Sequence, residues 1–247
     1  MHPYVNYSIK LLRDLGKKTA RYFDETTEYR TQTAVSFQQN PANFVKSVSE
    51  KLHDELLKAY PDHYITPLFE LDANQLQEFG DQEIWAYQTV CGFNNFSSNI
   101  PFFCMTLIHI RQGQIQHAIV YDPLRDEAFN ASKGSGAQVN NRRLRIIQQP
   151  EIRLVYTNDV SLLAEHSLQK NIRSFGSSNL ELCYLASNRG ELAIISSKNP
   201  LSIAAGKLIA REAGATCFVH QNNHQEQILV AGALDHVKPT IDFIAHK

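Results

Sequence analysis

The 247-residue chain has 43% hydrophobic and 20% charged residues with a formal net charge of −1, so it is long enough and apolar enough to bury a large core. Its near-neutral pI of about 6.8 gives no global field that would draw nucleic acid or an anionic membrane. Direct nucleic-acid binding is therefore expected to be weak or absent. Cys91, Cys104, Cys183 and Cys217 are scattered without a paired C-x-x-C spacing, so reduced thiols are expected and not a zinc site. The opening residues Met-His-Pro-Tyr-Val-Asn-Tyr carry no apolar signal core and no run is long enough to span a bilayer, which predicts a cytoplasmic protein with no membrane contact.

Val5, Ile9, Leu12 and Leu15 recur at helical spacing, with Lys10, Arg13, Lys17 and Lys18 opposite. This predicts an amphipathic helix continuing to Phe23. The polar segment 25–42 reads as a loop or weak hairpin. Phe44, Val45, Val48, Leu52 and Leu56 mark a second helix that stops before Tyr60-Pro61. Residues 64–69 read as a short strand and 72–82 as a polar loop.

The stretch from Trp85 to Ile110 organises the front half. An apolar run breaks at Gly92, crosses an Asn/Ser-rich loop and resumes as a second apolar run. A strand, a glycine turn and successive backbone N–H groups are the usual build of an anion-binding loop. The runs 102–110 and 115–121 flank Arg111-Gln112-Gly113-Gln114 and predict a β-hairpin. Ala128-Phe129 reads as a further strand. Beyond about residue 150 short strands and helices alternate. Strands are predicted at 152–156, 172–175, 192–195, 216–220 and 228–231, and helices at 161–168, 180–186, 202–213 and 237–244. This is an α+β front half followed by an α/β back half. Ser202 is placed to cap the helix it begins. The ten histidines form no H-x-x-x-H or H-E-x-x-H pattern, and His220 and His224 flank a turn. The basic cluster Arg142, Arg143 and Arg145 reads as a solvated hairpin edge.

Several longer segments resemble the inositol monophosphatase family. Val120-Tyr121-Asp122-Pro123-Leu124-Arg125-Asp126-Glu127 with Ala128-Phe129-Asn130-Ala131 is similar to its D-P-x-x-x-E-x-F-x-A strand and turn. Gly134-Ser135-Gly136-Ala137-Gln138-Val139-Asn140 is similar to its G-x-G-A-x-x-N segment. Gly176-Ser177-Ser178 and Ala204-Ala205-Gly206-Lys207-Leu208 through Glu212-Ala213-Gly214 match its G-S and A-A-G-x-L…E-A-G stretches. Met-His-Pro and Asp-Pro-Leu-Arg-Asp-Glu resemble the bacterial SuhB-like subgroup.

The resemblance implies a layered αβαβα sandwich, with an N-terminal half over 1–146 and a C-terminal half over 147–247. It also implies Mg2+-dependent hydrolysis of small phosphate monoesters, with carboxylates holding the metals and a Thr and a Glu orienting water. Carried over residue by residue, the family's paired glutamates fall on Leu68 and Phe69. Two aspartates fall on Gln88 and Cys91, the threonine on Phe93, and a Trp-Asp pair on Leu201 and Ser202. An early aspartate falls near Ser49 and a substrate-contacting glutamate on Ile195. Gly92, Phe93 and Asn94 are then a remnant of the phosphate loop, and Gly176, Ser177 and Glu191 a remnant of the substrate pocket. Neutral or soft side chains hold Mg2+ poorly, so a chain without a catalytic residue, metal or cofactor is expected. Retention of the scaffold then implies a binding role like that of the SuhB-like subgroup, which dimerises and joins NusA and RNA polymerase in Nus-type antitermination. The alternative is an active phosphatase with a rearranged site.

Overall fold

A computed structural model describes residues 2–30, 40–163, 168, 171–221 and 226–245. Helix α1 covers Pro3–Arg30 and α2 covers Pro41–Ala59. Strand β1 (Tyr64–Pro67) leads through a 3-10 turn at Leu68–Glu70 and another at Ala73–Phe79 to β2 (Ile84–Cys91). A short helix α3 (Phe93–Ser97) follows, then β3 (Cys104–Arg111), β4 (Gln114–Asp122), β5 (Glu127–Ser132), β6 (Gly136–Val139) and β7 (Arg142–Arg143). These strands form one sheet in sequence order, with β1 parallel to β2 and the remaining pairs antiparallel.

The second sheet has the order β11-β12-β10-β8-β9. Its strands are β8 (Val155–Thr157), β9 (Ile172–Arg173), β10 (Leu192–Ser197), β11 (Thr216–Gln221) and β12 (Gln227–Gly232). Helices α4 (Ser178–Ala186), α5 (Ala204–Glu212) and α6 (Leu234–Ala245) complete the chain.

Alternation along the strands sorts the layers. On β2, Trp85 and Tyr87 pack with Met105, Leu107 and the apolar stripes of α1 and α2. Ala86 between them faces the other way, with Ile108, Ile110 and Val120, against Leu180 of α4 and Leu208 of α5. The same two helices present Leu182, Leu185 and Ala210 to Ala193, Ile195 and Leu229 of the second sheet. Ile194 and Val230, on that sheet's outer face, meet Val237 and Ile244 of α6. The order is therefore helix, sheet, helix, sheet, helix. Strands covered on both faces read as continuous apolar runs, and a helix between two sheets is buried on nearly every side, as α4 is, with Asn179 and Glu181 among its buried residues.

The α4–α5 seam is tight. A Cβ on Gly206 would lie 2.9 Å from the Asn179 carbonyl oxygen and 2.8 Å from Leu182 Cβ. The predicted hairpin closes as a two-residue loop, with Arg111 opposite Gln114. Gln112 (φ 51°) and Gly113 (φ 65°) both take the left-handed conformation that such a loop needs.

Helix α1 runs past the predicted end at Phe23. Thr26 and Thr27 turn their hydroxyls back onto the Phe23 carbonyl at 3.0 and 2.8 Å, and Asn99 Nδ2 donates to Thr27 Oγ1 at 2.6 Å. Those local bonds let polar residues continue the helix. At the far end of the predicted loop, Asn40 caps α2 by accepting from the Ala42 N–H at 2.9 Å, with Pro41 in the first turn. The middle of that predicted loop, 31–39, lies outside the described residues, as do 164–167 of the predicted 161–168 helix. Its described start is a 3-10 turn at Val160–Leu163.

Candidate functional site

A cleft of about 730 Å3 opens between α2 and the C-terminal half of β2, where the chain enters α3. Ser49, Phe69, Gln88 and Phe93 line it together, so four of the positions singled out in the sequence meet there. Phe69 is 78% exposed and Phe93 40%. Leu68 is turned the other way and sits in the core at 4% exposure. Carboxylates do line the cleft, from Glu50, Asp54 and Glu70.

Behind the cleft, Gly92 turns β2 into α3 with φ 96°. A Cβ there would lie 3.2 Å from the Gly176 carbonyl, the Phe102 carbonyl and Ser177 Cβ. The Gly92 and Gly176 turns thus press against each other. Asn95 bridges them, with Nδ2 donating to the Phe102 and Phe175 carbonyls, and buried Ser177 donates to the Cys91 carbonyl at 3.0 Å. Asn94 lies exposed on α3.

Cys91 and Cys104 are register partners across β2 and β3. The Cys104 thiol, hydrogen-bonded to Cys91, pulls the Cys91 thiol below the ordinary range. Asn179 Nδ2 lies 3.5 Å from Cys91 Sγ and donates to the Ser202 carbonyl at 2.6 Å. Ser202 does not cap a helix. Asn199 caps the preceding 3-10 turn by accepting from the Leu201 N–H at 3.0 Å, and the Ser202 hydroxyl donates to the Asn199 carbonyl at 2.7 Å. Helix α5 begins two residues later. Glu191 stands apart, at the start of β10. It accepts from the Arg153 and Leu154 N–H groups at 3.0 and 2.8 Å and from the Arg153 guanidinium. Burial raises its carboxyl, but those bonds more than reverse the effect and hold it below the ordinary range.

A second cluster lies on the same sheet, away from the cleft. His63 precedes β1, Glu83 precedes β2 and His109 belongs to β3. The register that pairs Tyr64 with Ile84 and Trp85 with His109 gathers them. One ligand atom of each lies within 4.8 Å of the others. His109 Nε2 contacts Glu83 Oε2, Arg111 Nε sits 3.4 Å from Glu83 Oε1, and Trp85 Nε1–H donates to His63 Nδ1 at 3.1 Å. Burial pushes the His109 imidazole down to about 4, against the opposing pull of Glu83, so it is a neutral donor at pH 7. The expectation of a chain with no residues for a metal cofactor is corrected here. His63, Glu83 and His109 form a group with the donors and spacing to hold one. The histidines are 46 residues apart in sequence and share no short spacing. Only strand register brings them together, so a motif scan passes over them.

The five layers, with a cleft at the β2–α3 turn, define a sugar-phosphatase-type sandwich. The chain belongs to the inositol monophosphatase family, whose model matches residues 1–238. It is 30% identical over 234 residues to Nus factor SuhB of Vibrio cholerae, covering 87% of this chain and 84% of that protein. It is 29% identical to Nus factor SuhB of Escherichia coli K12, covering 94% and 92%. In fold it is similar to the extragenic suppressor protein suhB of Bartonella henselae, with a TM-score of 0.78, 21% identity and 99% of each chain covered. A Thermotoga maritima IMPase gives a TM-score of 0.78 at 22% identity, covering 99% of this chain and 98% of that one. Among the described residues no helix is long and apolar enough to cross a membrane.

Proposed function

We propose that this chain is a SuhB-like binding protein that has given up the Mg2+-dependent phosphomonoester hydrolysis of its family. What carries the reading is the set of side chains that the resemblance places at the family's catalytic positions: Leu68, Phe69, Gln88, Cys91, Phe93 and Ser202. Two hard cations that offset a phosphate's charge need ionised oxygen ligands, and this set supplies none. The cleft walls contributed by Val45, Val90, Phe69 and Phe93 are suited to apolar contact. The likeness to proteins called Nus factor SuhB supports a place in a transcription antitermination assembly, with NusA and RNA polymerase as partners and a homodimer as the working form. Under this reading Gly92, Phe93, Asn94, Gly176 and Ser177 are retained as turns that join the two sheets' loops, and Glu191 is retained to anchor β8.

One observation favours a second reading, a working phosphatase with a rearranged site. Glu50, Asp54 and Glu70 line the same cleft, and Thr66 Oγ1 lies 3.5 Å from Glu70 Oε2. Phosphate release from inositol-1-phosphate in the presence of Mg2+ separates the two. Turnover abolished by a chelator establishes the second. No turnover, together with recovery of RNA polymerase and NusA on the tagged chain from cell lysate, establishes the first.

A further inference from the structure

His63 just before β1, Glu83 just before β2 and His109 of β3 bring one donor each to a common point at the edge of the aromatic cluster formed by Tyr4, Tyr60 and Trp85. Two imidazoles and a single carboxylate suit a borderline cation such as Zn2+ or Co2+. They do not suit Mg2+, which prefers an all-oxygen octahedron. From the structure we infer that His63, Glu83 and His109 form a binding site for a transition-metal dication, separate from the cleft of the family's chemistry.

Three features support the assignment. His109 lies within β3, and His63 and Glu83 immediately precede the paired strands β1 and β2, so strand register fixes all three backbones. Tyr64 N–H donates to the Glu83 carbonyl at 2.9 Å, and Trp85 faces His109 across the β2–β3 pair, so the three side chains leave the sheet from neighbouring positions. Arg111 engages Oε1 of Glu83, which leaves Oε2 on the side of His109. Finally, His109 is 2% exposed, and its Nδ1 has no hydrogen-bond partner among the described residues. A buried ring nitrogen without a partner is costly, and a ring shift that brings Nδ1 onto a cation removes that cost.

The geometry also predicts a side effect. His63 Nδ1 now accepts from the Trp85 indole, so the ring's proton sits on Nε2. A neutral imidazole that ligates through Nε2 carries its proton on Nδ1. Metal binding by that atom therefore breaks the Trp85 hydrogen bond, and ligation through Nδ1 displaces the indole directly. Either way Trp85 responds, and it is the single tryptophan of the chain.

Titration of the full chain with Zn2+ and, separately, Co2+, read on Trp85 emission, tests the site. A saturable change at one equivalent is expected, with no change for Mg2+ at far higher concentration. Glu83→Gln and His63→Gln, checked for folding by circular dichroism, should each weaken the midpoint by at least ~10-fold, the loss that even an outer-shell change typically produces. His2→Ala should leave it unaltered. The visible spectrum of the Co2+-loaded wild type should show nitrogen and oxygen donors and no thiolate charge transfer, which keeps the test informative if a variant fails to fold. An absent response to Zn2+ and Co2+, a response that survives both ligand substitutions or vanishes with His2→Ala, or a thiolate band in the Co2+ spectrum would overturn the assignment. None of these readouts depends on phosphatase activity or on a transcription partner.

Discussion

The side-chain oxygen of Asn179 accepts the backbone N–H of Gly206 at 2.9 Å, tying the first turn of α4 to the first turn of α5. The same amide donates to the Ser202 carbonyl, so one buried side chain on α4 satisfies two backbone groups at the start of α5. Helix-start N–H groups have no partner within their own helix, and Gly206 finds its partner across the layer. Asn179→Ala is expected to leave both groups unpaired at a cost of about 2–4 kcal/mol. Gly206→Ala is expected to cost about 1–3 kcal/mol by forcing the helices apart. Urea midpoints at constant m-value would check both.

Neighbours in the 3-10 turn after β1 should answer oppositely to the same substitution. Leu68 is in the core, whereas Phe69 projects into solvent at the cleft mouth. Leu68→Glu is expected to destabilise by about 3–5 kcal/mol, because it buries a charge with no partner. Phe69→Glu is expected to fall within about 0.5 kcal/mol of wild type. Thermal denaturation of the pair decides this. Equal effects would show that the turn is mobile enough to swap the two side chains.

Glu181 supplies a pH dependence with a defined sign. Burial raises its carboxyl to about 7, against hydrogen bonds from the Phe175 and Gly176 N–H groups that lower it. A carboxyl whose folded value exceeds its unfolded one binds more protons when folded. Its stabilising contribution is complete below the unfolded value and fades as pH rises towards 7. Raising it from 4.5 to about 7 corresponds to roughly 3 kcal/mol at 1.36 kcal/mol per unit. Glu181→Gln should flatten the stability profile between pH 5 and 7 and make the protein more stable than wild type at pH 8. Denaturant unfolding across that range measures it, and parallel profiles for the two proteins would refute the assignment.

Helix and strand positions were legible wherever one physical rule dominated. Leu12, Leu52 and Leu56 gave helices by period. The Gln112-Gly113 loop gave a hairpin, since few residues other than glycine and its polar neighbours adopt two left-handed conformations in succession. The end of α1 was not legible, because the bonds that extend it come from Thr26, Thr27 and distant Asn99. Ser202 looked like a cap by residue type, yet Asn199, three residues earlier, takes the free N–H. The cleft was half legible. The sequence motifs singled out Gln88 and Phe93 as candidate positions, but only the folded chain shows that Glu50 and Asp54 of α2 reach the same space. The His63–Glu83–His109 group was invisible, because cross-strand register is set by every pair in the sheet and not by any spacing of histidines.

Helices α4 and α5 are encoded late in the chain, yet they roof the first sheet as fully as they floor the second. A product truncated near residue 146 would carry Ile108, Ile110, Val120 and Phe129 bare to water, a greasy slab with nothing to cover it. A nonsense mutation or a proteolytic nick there should thus yield inclusion bodies and degradation, not a smaller soluble protein. Selection on the part of the gene that encodes α4 and α5 therefore also protects the sheet encoded before it.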